Sequence, residues 1–140
     1  MKELRFTKEI TVRFSEVDSM GVVWHGSYPL YFEDAREAFG RHYGLGYETF
    51  LQNDVYAPIV ELSFRYHHII RYSQRIKITI IYKYTISAKI IFEYEIRDAD
   101  DDTLLTTGRT TQVFMDKQYE MIWYNPKFYE EWKAKWLPQE

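Results

Sequence analysis

Apolar and polar residues alternate along this chain with two periods, and the change from one to the other marks its elements. From Tyr28 to His42 the apolar positions Tyr28, Tyr31, Phe32, Ala35, Ala38, Phe39 and His42 recur every three or four residues, as one stripe of an amphipathic helix. The opposite side carries Glu33, Asp34, Arg36, Glu37 and Arg41, with Glu37 and Arg41 one turn apart and able to pair. Ser27 stands where an N-cap belongs, Pro29 falls in the first turn, and Gly44 and Gly46 end the helix. Two alanines in the stripe predict close approach to a sheet. Residues 47–53 read as a short second helix.

Elsewhere the period is two. Residues 6–14 end in the alternating Thr11-Val12-Arg13-Phe14, a strand leading into the loop before the helix. After the helix come three runs in which one face is apolar: Val60, Leu62, Phe64, Tyr66; then Ile76, Ile78, Ile80, Tyr82; then Ile86, Ala88, Ile90, Phe92, Tyr94, Ile96. Alternation of this kind predicts antiparallel strands with one face covered and one wet. Asp98 to Asp102 form a turn into a last strand, Thr103 to Met115, and Asn125-Pro126 start a closing helix with Phe128, Tyr129 and Trp132 on one side. One long early helix followed by strands predicts an α+β domain, a curved antiparallel sheet wrapped around that helix.

Composition narrows the class. One domain over residues 1–140 is long enough to bury a core without staples. The 19% aromatic content, with 13 Tyr and 9 Phe, fits a sheet-rich folded protein. A net charge of −3 gives no basic field for nucleic acid. The absence of cysteine removes disulfides, thiol nucleophiles and thiolate metal ligands. Met1 to Phe6 have no signal-peptide core, and no apolar run reaches the ~20 residues of a membrane helix, so the cytoplasm is the expected compartment.

The chemistry gathers between the first strand and the helix, in Glu16-Val17-Asp18-Ser19-Met20-Gly21-Val22-Val23-Trp24-His25-Gly26-Ser27-Tyr28. An acid and a histidine bracket an apolar turn that opens onto a helix N-terminus, where backbone N–H groups and the helix dipole favour an anion. Asp18-x-x-Gly21-Val22-Val23-Trp24-His25-x-x-Tyr28 resembles the signature of the 4-hydroxybenzoyl-CoA thioesterase family, hotdog-fold hydrolases of acyl-CoA or acyl-carrier thioesters. The order of elements matches that family from about Thr11 to Met115.

The resemblance implies that Asp18 acts on the thioester carbonyl carbon, as nucleophile or as base for water, and that the backbone N–H of His25 faces the thioester oxygen. Without it, Asp18 reads as a turn aspartate bonded to its own backbone. Gly21, Val22, Val23, Trp24 and Tyr28 then belong to the substrate site, and Glu16 to its support. Pro58, Ile59 and Val60 resemble the segment that lines the acyl pocket from a partner subunit, so a homodimer or homotetramer is implied. Lys83 and Lys89 are the cations nearest the hairpin at 85–89 that would meet the nucleotide of coenzyme A. Because a basic cluster is lacking there, acyl carrier protein remains a second carrier.

No metal and no cofactor is expected, coenzyme A entering only as part of substrate or product. His67 and His68 point to opposite faces of a strand. Asp98, Asp100 and Asp102 mimic a calcium loop, but Thr103 replaces its glycine and Arg109 its bidentate glutamate. Two other functions compete: a hotdog dehydratase using Glu33 and His42 on the helix, and a module that binds an acyl thioester without turning it over.

Overall fold

The clean alternation of Ile76, Ile78, Ile80 and Tyr82, and of Ile90, Phe92, Tyr94 and Ile96, is matched by burial: all eight are 2% exposed or less and face one helix. They lie on β3 (Arg75–Lys83) and β4 (Ile90–Asp98), the centre of a five-stranded sheet. With β1 (Glu3–Thr11), β2 (Ile59–Tyr66) and β5 (Leu104–Gln112) the order is β1-β3-β4-β5-β2, every neighbour antiparallel. This computed structural model describes residues 3–138; Met1, Lys2, Gln139 and Glu140, at the ends of the expected 1–140 domain, lie outside the described residues.

The wrapped helix is α1 (Tyr28–Tyr43), followed by a short α2 (Tyr47–Gln52). Tyr28, Tyr31, Phe32, Ala35 and Phe39 are buried as the stripe predicts, whereas Ala38 is half-buried and His42 exposed. The close approach is made instead by Gly40, where a Cβ would lie 2.7 Å from Gly46 Cα and 2.8 Å from the Leu45 carbonyl oxygen as the chain doubles back. Gly44, at φ 75°, ends α1 with its N–H donated to the Gly40 carbonyl. Phe32 stacks on Tyr94 with ring centroids 4.3 Å apart, and it fills the space over Gly108, where any Cβ would overlap its ring. A long helix cradled by a curved antiparallel sheet is the hotdog fold.

Three boundaries and one burial pattern differ from expectation. β1 stops at Thr11, because Phe14–Glu16 form a 3-10 turn in which Arg13 folds back onto Glu16. β4 begins only at Ile90, and Ile86 is exposed in the hairpin before it. The last run divides into β5 and a short β6 (Phe114–Met115), which pairs with β7 (Met121–Ile122). β2 has no covered face of the kind seen in β3: Val60, Leu62 and Tyr66 are 55%, 43% and 53% exposed, and a bulge sits at Val60. It is one of the sheet's two outer strands, with one row of backbone groups unpaired among the described residues.

The closing helix α3 (Lys127–Trp136) covers the other end of the molecule. Tyr129 meets Tyr82 hydroxyl to hydroxyl at 2.6 Å, and Trp132 Nε1 donates to the Tyr43 carbonyl at 2.7 Å. Asp98 Oδ1 accepts the N–H groups of Asp100 and Asp101, so the acidic run is a turn as expected.

Candidate active site

Glu16 is the anchor of the loop that carries Asp18. Its carboxylate, 5% exposed, accepts the Arg13 N–H at 2.8 Å, Arg13 Nε at 2.9 Å, Arg13 Nη2 at 2.6 Å and the Tyr31 hydroxyl at 3.1 Å. Burial pushes its pKa up, but these donors outweigh burial and hold it below the usual carboxylate range. For Tyr31 burial and the facing carboxylate act together and push the hydroxyl far up, so it stays a donor. The Glu16 carbonyl also accepts the Trp24 N–H at 3.0 Å and the Ser27 hydroxyl at 2.9 Å. One residue thereby ties the strand side of the loop to the start of α1.

Between those ties the chain makes a miniature hairpin. Val17 bridges Val23, Asp18 N–H donates to the Val22 carbonyl at 2.9 Å, and Gly21 N–H returns to the Asp18 carbonyl at 3.0 Å. Gly21 has φ 76°, the left-handed conformation that needs glycine in this turn. Val23 N–H donates to Ile70, and Tyr72 N–H to Gly21, which pins the hairpin to the segment after β2. The Asp18 carboxylate is half-buried, and its Oδ1 accepts the Met20 N–H at 2.8 Å. The turn role expected of a loop aspartate is therefore present, and it leaves Oδ2 without a partner among the described residues.

Val23 is buried and Val22 half-buried, but Trp24 is 50% exposed and lies over Gly26, where a Cβ would overlap the indole. Gly26 is a site residue that the sequence reading passes over. The ring of exposed His25 lies 4.8 Å from that of Trp24. His25–Ser27 form a 3-10 turn running straight into α1. Ser27 does not cap: its backbone is already helical and its hydroxyl is spent on Glu16. No side chain caps either start, so the first N–H groups, His25's among them, remain open at the positive end of the helix dipole. Tyr28 is buried against Phe64 and Tyr66, as a wall.

The remaining expected residues are not brought to Asp18 within one chain. The Asp18 hairpin is fastened beyond the Tyr66 end of β2, while Pro58 precedes the other end, about 25 Å away for eight extended residues. Pro58 instead lines a cavity of ≈ 780 Å³ between α1, α2 and the sheet, together with Arg36, Phe50, Phe92 and Gln112. Lys83 pairs with Glu3 and Glu93 on the outer sheet face, and Lys89 is exposed in the hairpin. Glu33 is held by Arg36 at 2.6 Å and sits nine residues, about 13 Å of helix, from His42. Among the described residues no cluster of three or more His, Asp or Glu could hold a metal, and no helix is long and apolar enough to cross a membrane.

These features have counterparts in known proteins. YneP of Bacillus subtilis (strain 168), a candidate acyl-CoA thioesterase, is 33% identical over 67 residues, covering 48% of this chain and 49% of that protein. The protein sll0410 of Synechocystis sp. (strain ATCC 27184 / PCC 6803 / Kazusa), a candidate esterase, is 30% identical over 110 residues, covering 77% and 66%. The chain thus spans about half to two-thirds of the length of these relatives. A crystal structure of the DHNA-CoA thioesterase from Staphylococcus aureus superposes with a TM-score of 0.77 at 26% identity, over 96% of this chain and 84% of that one. The Thioesterase-like superfamily matches residues 12–137, which takes in the Glu16 anchor, the Asp18 hairpin, the central helix and every strand of the sheet after β1: the chain belongs to that superfamily.

Proposed function

We propose that this protein hydrolyses acyl thioesters of coenzyme A or of an acyl carrier protein. The observation that carries the reading is the Asp18 carboxylate, set on a rigid two-ended turn directly before an uncapped helix start. The thioester carbonyl oxygen would accept the His25 N–H, where charge develops as the carbonyl carbon is attacked. Asp18 either attacks that carbon, giving an anhydride that water then opens, or takes a proton from the attacking water. In both cases the C–S bond breaks, the thiolate leaves, and a carboxylic acid and a thiol are the products. The names borne by YneP and by the Staphylococcus aureus enzyme support this reaction, and the Asp18-to-Tyr28 string supports the 4-hydroxybenzoyl-CoA thioesterase branch of the superfamily.

The site is completed by a second copy. Antiparallel pairing of the open β2 edge with its own mate would bring the Pro58 end of one chain beside the Tyr66 end of the other, and so beside Asp18. The lack of cysteine supports a cytoplasmic site of action.

Steady-state thiol release by wild type and Asp18→Asn is the test. The amide keeps shape and an acceptor oxygen but is neither base nor nucleophile, so turnover falls about 10²-fold or more with little change in substrate affinity. A folded Asp18→Asn protein with near wild-type turnover would refute the assignment. His25→Ala keeps the backbone donor and is expected to be milder.

A further inference from the structure

The short helix α2 stands over open space. It contains no buried residue, and no other helix or strand packs closely against it. Phe50 and Leu51, both half-buried, form its side of the ≈ 780 Å³ cavity. Among the described residues, every hydrogen bond made by residues 46–54 closes within residues 44–55. Two contacts fasten the segment to the rest of the chain. Phe50 meets Phe128 of α3 edge-on with ring centroids 5.4 Å apart, and Asp54 lies 3.9 Å from Lys117. The Asp54 side chain is 80% exposed, so water screens that ion pair. The ends of the segment are built differently from its middle. Leu45 and Val55 are buried and anchor it. Just inside them lie Gly46, with no side chain to restrict its backbone, and Asp54, left-handed at φ 55°. Across the cavity mouth the turn at 116–120 is firmly held: Asp116 Oδ1 accepts the Gln118 and Glu120 N–H groups, and Tyr119 stacks on Tyr56 at 5.5 Å.

We propose that residues 46–54 are a lid on this cavity, hinged at Gly46 and Asp54, which opens by drawing Phe50 off Phe128 and Asp54 off Lys117. The hydrogen bonds inside α2 travel with it. Only one bond crosses each hinge, from the Thr49 hydroxyl to the Gly44 carbonyl at 3.5 Å and from the Val55 N–H to the Phe50 carbonyl at 3.1 Å. A segment with so few buried apolar contacts opens at far lower free energy than the whole fold. The outer side of α2, with Glu48 and Gln52, is exposed already and loses nothing when the lid moves. The closed position is weakly held because empty space denies Phe50 and Leu51 the contacts that a packed core would give. An occupant of the cavity would supply those contacts and shift the lid toward closed. Nothing in this movement involves the Asp18 hairpin, so the lid stands or falls apart from the thioesterase reading.

The experiment is NMR relaxation dispersion on the full chain, isotope-labelled at leucine and valine methyl groups. Leu51 on α2 is expected to show exchange on the microsecond-to-millisecond scale, while Leu105, buried on β5, stays silent. Phe128 is not among the residues lining the cavity, so Phe128→Ala removes the closing contact and leaves the cavity walls unchanged. The open population should then rise about fivefold or more. Gly46→Ala acts on the hinge instead. Its Cβ would meet Gly40 no closer than 3.6 Å, an ordinary contact, so the closed form fits it, and the open population should fall about twofold or more. Opposite shifts at Leu51 with Leu105 silent in both variants are a pattern that general loosening does not produce. Silence at Leu51 in both wild type and Phe128→Ala would overturn the lid. Exchange shared equally by Leu51 and Leu105 would overturn it too, as motion of the whole domain. Should Phe128→Ala fail to fold, Gly46→Ala decides alone: exchange at Leu51 unchanged from wild type would overturn the hinge and the lid with it.

Discussion

Replacing Glu16 by Gln isolates the anchor of the Asp18 loop with almost no change of shape. In the native protein the carboxylate accepts four donors, three of them from Arg13. A glutamine has one acceptor oxygen, so its amide nitrogen must face either the guanidinium or the Tyr31 hydroxyl. Charge-assisted bonds are worth ~1.5–3 kcal/mol each when buried. The Arg13 side chain is 71% exposed and turns to water once released, which screens most of its share. Tyr31 is 1% exposed and cannot do so, which leaves the amide oxygen to Tyr31 and the amide nitrogen against Arg13. The net loss is about 2 kcal/mol at pH 7, or about 7 °C in melting temperature for a two-state chain of this length.

The pH dependence gives a sharper reading. The folded pKa of Glu16 lies below its unfolded value of 4.5, so its contribution is present above that value and is lost as pH falls through the folded pKa. Glu3, Asp98 and Asp102 are also held low, but they are common to both proteins. The gap between wild type and Glu16→Gln should therefore narrow from pH 7 toward pH 3, although both proteins weaken. Urea unfolding across that range measures it. Equal stability at pH 7, or a gap that stays constant into acid, would refute the assignment of Glu16 as a charged buried anchor.

Three further perturbations test other parts of the account. Ala35 is fully buried, so Ala35→Leu should overpack the helix against the sheet and cost ~1–3 kcal/mol in thermal melts, while Ala38→Leu at its half-buried site should cost less. Gly26→Ala should displace the Trp24 ring, seen as a change in tryptophan fluorescence, and lower turnover several-fold with a stability loss below about 1 kcal/mol. Leu62→Lys places a charge on the exposed β2 strand, and light scattering should then show a monomer with thiol release lost in parallel; a monomeric wild type, or an active monomeric variant, would remove the need for a second copy.

Much of this architecture can be read from spacing, since β3 and β4 place one face wholly inside and α1 keeps one stripe on the core. The misread places are those where local alternation continues past the element that uses it. Thr11-Val12-Arg13-Phe14 still alternates, yet the attraction of Arg13 to Glu16 three residues on bends the chain out of the sheet. Ile86 and Ala88 keep the period of β4 through a hairpin that does not. The pattern of β2 is that of a half-covered strand, and edge position is a matter of topology that no window of eight residues contains. The turn at Asp18 and Gly21 was legible because a tight turn restricts residue type. The cavity walls at Arg36 and Gln112 were not, because a polar residue on a polar helix face or a strand looks solvated until α2 and residues 56–58 close over it.

The two rims of the sheet are unequal, and the inequality bears on which of them a second strand can join. On β1 the Tyr43 hydroxyl, from the helix end, donates to the Arg5 carbonyl at 2.8 Å. On β2 the bulge at Val60 is the sole irregularity in its ladder, and its outer row stays open to another strand. A sheet with two receptive rims could add copies head to tail without limit, as fibrils do. A rim with one of its carbonyls already taken is the poorer template of the two. If β2 pairs with a second copy, Tyr43 takes from the opposite rim one group that a further strand could use, and Tyr43→Phe, read by turbidity in concentrated solution, tests whether that one group limits strand addition.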